Sequence, residues 1–215
     1  MSDGIRIETF EVGPLGCNCS ILADVASKRA IVVDPGGDLD VIRNRLDGLG
    51  LRVDAIVHTH THIDHVGCTA DLQRATGAPA SIHEGDRPLY DMLPVQAEWL
   101  GFAVPTIADI DGTLVDGRSL RAGALEVGVL HTPGHTPGSC CFLVDTPGRT
   151  VVFSGDTLFR RSIGRTDLGG IDTATLVRSI RSRLLTLPDD TLVVAGHGPS
   201  TTIGDERARN PFLAR

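Results

Sequence analysis

Between Thr59 and His65 the chain reads Thr-His-Thr-His-Ile-Asp-His, with three imidazoles and a carboxylate in seven residues. Imidazole nitrogen and carboxylate oxygen are ligands for zinc, iron and manganese, and no thiolate stands among them. The stretch follows the apolar run Ala55-Ile56-Val57, which reads as the end of a buried strand. Side chains at i and i+2 of a strand point the same way, so His60 and His62 are expected to converge on one ion. Asp64 and His65 fall beyond the strand end, where a turn frees them to face a second position. The crowding predicts two metal positions sharing one loop.

Three later strand ends deliver the same residue types. Leu125 to Leu130 runs into His131-Thr132-Pro133-Gly134-His135-Thr136-Pro137-Gly138-Ser139, where glycine and proline fix the loop and His135 is the natural ligand. Val151 to Ser154 runs into Gly155-Asp156-Thr157-Leu158-Phe159, and a carboxylate such as Asp156 has two oxygens with which to bridge two cations. Leu192 to Ala195 runs into Gly196-His197-Gly198-Pro199. An apolar strand followed by a Gly-flanked His or Asp thus recurs along the chain.

These residues sit in an ordinary soluble composition: 215 residues, 41% hydrophobic, 22% charged and 4% aromatic. The length suits one domain over 1–215. A formal charge of −7 and a pI near 5.5 argue against a nucleic-acid binder, which would carry a basic patch. Met1-Ser2-Asp3-Gly4 has no basic n-region and leads into no apolar h-region, and no run reaches the roughly 18 apolar residues of a membrane span. No membrane association is expected, and cytoplasm is the expected location. The five cysteines are odd in number and follow no framework spacing, so a disulfide scaffold is not expected. Cys17, Cys19, Cys140 and Cys141 read as small apolar fillers, while Cys68, three residues past His65, lies near the metal loop.

Strands are expected over 5–12, 20–24, 30–33, 53–57, 78–82, 125–130, 139–144, 150–153 and 192–194. Asp38 or Asp40 is expected to cap a helix with Leu39, Ile42 and Leu46 on its apolar face, closed by Gly48 and Gly50. A second helix is expected over 69–76 and stopped by Gly77. Asp172 should cap another that buries Leu176, Val177, Ile180 and Leu184, and a short helix should span 205–210. The stretch from 84 to 112, which holds Tyr90 and Trp99, reads as irregular.

Thr-His-x-His-x-Asp-His, followed in order by the His135, Asp156 and His197 loops, resembles the metallo-β-lactamase superfamily. Thr-Pro-Gly-His-Thr-Pro-Gly-Ser and Ser-Gly-Asp-Thr-Leu-Phe resemble its glyoxalase II branch of thioester hydrolases. The ending Glu206-Arg207-x-x-Asn210-Pro211-Phe212-Leu213 is similar to the short bacterial members of that branch. The resemblance runs from Asp34-Pro35-Gly36-Gly37 to this ending. It implies an α/β fold, a four-layer αββα sandwich with metals at one edge. It also implies that His60, His62 and His135 hold one ion, that Asp64, His65 and His197 hold the other, and that Asp156 bridges. The implied cofactors are two divalent metal ions, zinc ahead of iron or manganese. The implied reaction is hydrolysis of a small-molecule, glutathione-linked thioester such as S-lactoylglutathione, by water activated between the metals and oriented by Asp64 as catalytic residue.

Against full-length glyoxalase II, the C-terminal helical domain after the His197 loop is not expected here. The chain also carries Pro199 and Asp167 where that enzyme has tyrosines. Arg165 falls where the longer enzymes carry a basic residue for the glutathione glycine carboxylate, and Arg160 and Arg161 read as solvated neighbours. Gly164-Arg165-Thr166-Asp167 also resembles the persulfide dioxygenases, which share the fold and use one iron on residues matching His60, His135 and Asp156. That is the alternative activity. Of the remaining histidines, His58 is expected behind the ligand face, His131 as a hydrogen-bond support for a ligand ring, and His83 at the surface or substrate rim.

Overall fold

The structure is a computed structural model that describes residues 4–168 and 171–214. In chain order the first half gives β1 (Ile5–Val12), β2 (Cys17–Asp24), β3 (Arg29–Val33), α1 (Leu39–Leu49), β4 (Arg52–Val57), α2 (Ile63–Val66), α3 (Thr69–Thr76), β5 (Ala80–His83), α4 (Arg87–Asp91), α5 (Leu93–Leu100) and β6 (Gly112–Leu114). The second half gives β7 (Ser119–Ala122), β8 (Leu125–His131), β9 (Cys140–Thr146), β10 (Arg149–Gly155), β11 (Leu158–Phe159), β12 (Ser162–Ile163), α6 (Thr173–Ser179), β13 (Leu192–Ala195), β14 (Thr201–Thr202) and α7 (Ile203–Arg209).

Two six-stranded sheets result, ordered β1-β2-β3-β4-β5-β6 and β14-β13-β10-β9-β8-β7. The pairs β3·β4, β4·β5 and β5·β6 are parallel in the first, and β10·β13 is parallel in the second. The near-continuous apolar runs of β2, β3 and β10 follow from burial on both faces. Inner faces meet in a core of Leu22, Ile31, Val57, Val129, Phe142, Val151 and Phe153. The outer face of the first sheet buries Ile21, Val32 and Ile56 against Ile42, Leu46 and Leu72 of α1 and α3. That of the second buries Cys141, Val152 and Val193 against Leu176, Ile180 and Ile203. Helix, sheet, sheet and helix are therefore stacked, the αββα sandwich that the motifs implied. No described helix is long and apolar enough to cross a membrane.

Several local expectations need correction. Residues 84–100 are mostly helical, not irregular, because Leu93 and Ala97 reach a small core with Ile63, Val66, Ile82 and Tyr90. Asp38 precedes α1 in the left-handed region and makes no side-chain cap. Its carboxylate instead accepts from the Gly13 amide at 2.8 Å. The capping aspartate of α6 behaves as expected, with Asp172 Oδ1 accepting from Thr175 N–H at 2.6 Å. The helix then widens into a π-helical turn over Ile180–Leu184. Helices α1 and α3 end at Gly50 and Gly77, both at positive φ.

What matters for the site is that β4, β8, β10 and β13 all end at the same edge. Phe142 is fully buried between the sheets and helps fix their separation. Phe142→Ala should lower unfolding free energy by about 3–5 kcal/mol, the range for an aromatic deleted from a packed core. Urea denaturation would check this, and a loss under about 1 kcal/mol would mean that the sheets close over the gap.

Candidate metal centre

Beyond Val57 the chain leaves β4, and residues 58–62 run as irregular backbone into α2. His60 and His62 therefore do not converge as strand neighbours. They converge because the loop turns over the edge of the sandwich, bringing the rings edge to face with centroids 4.8 Å apart. His135, from the loop after β8, completes a trio: its Nε2 lies 3.2 Å from His60 Nε2 and 3.0 Å from His62 Nδ1. Asp64 and His65 ride on α2 and face the other way, as expected. His65 Nε2 is 3.3 Å from His197 Nε2, and Asp64 Oδ2 is 3.0 Å from the same His197 atom. Asp156, at the end of β10, lies between the trios, with Oδ2 3.7 Å from His135 Nε2 and Oδ1 3.5 Å from His65 Nε2.

The far nitrogens of His60, His65, His135 and His197 each have a partner, which places a proton outward on these rings. His135 Nδ1–H donates to the Arg165 carbonyl at 2.7 Å, and His197 Nδ1–H donates to the Leu15 carbonyl at 3.2 Å. His65 Nδ1 meets Asp34 Oδ2 at 3.0 Å. Thr59 Oγ1 donates to the same Asp34 oxygen at 2.6 Å and is left to accept from His60 Nδ1 at 3.1 Å. With their protons held outward, His135 Nε2 and His60 Nε2 are acceptors facing each other at 3.2 Å. That arrangement is repulsive unless a cation lies between them, and the donor types suit a divalent transition metal. A second sign agrees: Asp156 Oδ1 is buried without a hydrogen-bond partner among the described residues. His60–His62–His135, His60–His65–Asp156 and Asp64–His65–His197 each offer ligand atoms within 4.8 Å of one another.

The electrostatics divide along the same line. Burial, followed by neighbouring imidazoles, depresses His135 to about 3, burial depresses His62 to about 4, and burial holds His60 well below the ordinary imidazole value. All three stay neutral, the form in which imidazole binds metal. Burial disfavours a charge on His65, but Cys17, Asp64, Asp34 and Asp156 outweigh it and push its pKa up. Hydrogen bonding to the Asp64 carboxylate likewise raises His197. Burial would raise Asp64, yet His65 and His197 hold its carboxyl well below the usual range. Burial pushes Asp156 upward.

Several positioning residues escaped the sequence reading. In sequence Asp34 only opens the stretch Asp34-Pro35-Gly36-Gly37. It adopts φ 51 and accepts from both the amide and hydroxyl of Thr59, tying β3 to the histidine loop. Asp86 is fully buried and accepts from Thr61 N–H at 3.0 Å, Thr136 Oγ1 at 2.9 Å and Gly138 N–H at 2.5 Å. It thereby fastens the loop of His60 and His62 to the loop of His135, although burial pushes its pKa upward. Both aspartates follow apolar strands, the same signal that located Asp156. Gly36 packs on the Asp64 carbonyl so closely that any Cβ would collide with it. Cys17, expected as a filler, is buried in the core but also sets its sulfur 3.5 Å from His65 Nδ1. Cys68 is buried, with its thiol raised by burial to about 11.

His58 lies behind the ligand face as expected, fully buried, with Nε2 3.2 Å from Thr69 Oγ1. His131 does not support a ligand ring. It donates to the Pro137 carbonyl at 2.9 Å and stacks on His83, with centroids 4.0 Å apart. Arg165 is exposed, and its guanidinium forms a two-pronged pair with Asp167 at 2.7 and 2.9 Å.

An αββα sandwich with clustered histidines and aspartates at one sheet edge defines a class of metal-dependent hydrolases. The chain belongs to that class: residues 12–197 match the family model of the metallo-β-lactamase superfamily, whose members bind divalent metals, usually two. The hydroxyacylglutathione hydrolase GloC of Haemophilus influenzae is 38% identical over 97% of this chain and 98% of its own. The crystal structure of BLEG-1 B3 metallo-β-lactamase superposes with a TM-score of 0.89 at 37% identity, covering 98% of this chain and 100% of that one. TTHA1623 in a di-iron-bound form gives 0.82 at 38% identity over 96% and 100%. ETHE1 from Myxococcus xanthus gives 0.75 at 28% identity over 96% and 83%.

Asp86 supplies a direct test of loop fastening. Asp86→Ala would leave the Thr61 and Gly138 amides buried without acceptors and should destabilise the fold by about 3 kcal/mol. Asp86→Asn should recover part of that loss, since one amide oxygen remains to accept. Urea unfolding of both variants measures the difference, and an Ala variant as stable as the parent would remove Asp86 from the account.

Proposed function

We propose that this chain is a dinuclear metal-dependent hydrolase of thioesters, similar to glyoxalase II, acting on S-lactoylglutathione or a related acyl thioester. The observation that carries this reading is the doubled ligand set: two trios built equally closely, joined by one carboxylate whose oxygens face opposite ways. The likeness to GloC supports the substrate class.

In this reading His60, His62 and His135 hold one ion, Asp64, His65 and His197 hold the second, and Asp156 touches both. Zinc is the first choice, with iron or manganese compatible with the same donors. When bound, such a pair lowers the pKa of water toward about 7 and polarises the acyl carbonyl. The chain's own groups do the rest. Asp64, kept ionised beside His197, accepts a hydrogen bond from the attacking water and orients it. The hydrogen-bond partners of His60, His65, His135 and His197 keep those imidazoles aimed inward. A thiol leaves readily as thiolate, with an unperturbed pKa near about 8.5, so no general acid is needed. Cys68 has no part as an acyl carrier, because its thiol is buried and its pKa is raised.

The likeness to ETHE1 and the sequence Gly164-Arg165-Thr166-Asp167 favour a second reading, a one-iron persulfide dioxygenase using His60, His135 and Asp156. The close Asp64–His65–His197 trio weighs against it, since one iron leaves that set without a task.

Purified protein should bind two metal equivalents and hydrolyse S-lactoylglutathione without taking up oxygen. Asp156→Ala should lose at least about 100-fold in turnover and much of the metal, taking the upper end of the effect of removing a ligand support as a floor. A panel of thioesters, a β-lactam and glutathione persulfide, with metal analysis and an oxygen electrode, decides the matter. One iron with oxygen uptake on persulfide, retained in His197→Ala, would replace this reading with the second.

Arg165 is the proposed contact for a substrate carboxylate, which must displace Asp167 from the guanidinium. Arg165→Ala should raise KM for a glutathione thioester roughly two- to fivefold at unchanged kcat, the worth of an exposed ion pair felt equally in ground and transition states. Asp167→Ala should lower KM. Unchanged KM in both variants would assign the pair to the surface.

A further inference from the structure

The C-terminal Glu206-Arg207-x-x-Asn210 sequence lies outside the chemistry above, yet the structure connects it to the metal centre. The Glu206 carboxylate, on α7, is fully buried. It accepts from Arg161 N–H at 2.8 Å, Arg161 Nη1 at 3.0 Å, Thr201 Oγ1 at 2.7 Å and Asn210 Nδ2 at 2.8 Å. Asn210 Nδ2 also donates to the Ser162 carbonyl at 3.0 Å. Arg161 and Ser162 lie at the turn of the β11–β12 hairpin, and Arg161 adopts φ 62. A non-glycine residue in that region is held by its surroundings, and here the buried carboxylate does the holding.

The hairpin leads directly into 164–168. Gly164 packs against Asp156 with no room for a Cβ, which would also lie 3.2 Å from His135 Cβ. The next residue, Arg165, offers the carbonyl that fixes His135 Nδ1–H. The other trio has different supports, Asp34 for His65 and Leu15 for His197.

We infer that Glu206 and Asn210 are positioning residues for one metal position only: by clamping the β11–β12 hairpin they fix the loop that follows it, and the Arg165 carbonyl of that loop orients His135. This rests on the reading in which His60, His62 and His135 hold an ion. It gives the terminal helix a specific task at the site: Glu206 and Asn210 lie 45 and 48 residues beyond Arg161 and Ser162 in sequence but in direct contact with them in space.

Zinc affinity, measured by competition with a chromophoric chelator, tests the inference in two backgrounds. In His197→Ala, which leaves the first position, Asn210→Ala and Glu206→Gln should each weaken zinc binding by roughly tenfold or more, as expected for loss of an outer support. In His62→Ala, which leaves the second, the same changes should leave affinity unaltered. Arg207→Ala is the control on the same helix, since its guanidinium serves the Leu185 and Leu187 carbonyls, and it should alter neither. If Glu206→Gln fails to fold, Asn210→Ala decides alone. Folded Asn210→Ala with parental affinity in the His197→Ala background overturns the inference, as does equal weakening in both backgrounds, which marks general loosening. Failure of the underlying reading looks different: the otherwise unchanged protein would bind no zinc.

Discussion

An imidazole can aim a lone pair inward only if its proton is held outward, and the rest of this site depends on that constraint. Nitrogens of neighbouring histidines face one another at 3.0–3.3 Å, too close for free rings to settle there without donating to each other. Four of the five rings are held from behind by different groups: the Arg165 and Leu15 carbonyls, the Asp34 carboxylate and the Thr59 hydroxyl. The energy of folding is thus used to bring acceptor atoms together, and a cation recovers it on binding.

Two buried carboxylates organise the supports. Asp34 serves His65 directly and His60 through Thr59, while Asp86 joins the loops on either side of the first trio. Neither points into the cluster. They differ from Asp156, which lies between the trios with one oxygen lacking a hydrogen-bond donor among the described residues. Carboxylates with satisfied hydrogen bonds fasten loops, and the one left unsatisfied faces the position of the charge.

The sandwich contributes the edge on which these loops meet. Four strands from two sheets end there, so small rotations of one sheet against the other would move ligand atoms by ångströms. The inter-sheet core around Phe142 resists such rotation. Substrate choice belongs to the more exposed segments, including the Arg165–Asp167 pair, where a change does not disturb the sheets. The solved structures similar to this one include both a metallo-β-lactamase and ETHE1, which fits a common frame with variable rims.

Much of this was legible in the sequence because ligands and strands are local features. Apolar runs of period-independent burial, followed by Gly-flanked His or Asp, located His135, Asp156 and His197, and the density of residues 60–65 located the rest of the cluster. Spacing also assigned Asp64 and His65 to a different face from His60 and His62, though for the wrong local reason: those two histidines lie on a loop, not on the strand. What only the tertiary structure decided is which distant group sits behind each ring. A backbone carbonyl such as that of Leu15 or Arg165 has no signature in side-chain type, and Asp34 and Asp86 look like ordinary turn residues until their strands are placed. The same holds for Glu206, whose partner Arg161 is an unremarkable surface residue in sequence. Hydrogen bonds between residues far apart in the chain depend on how the sheets pack, and residue spacing does not encode that.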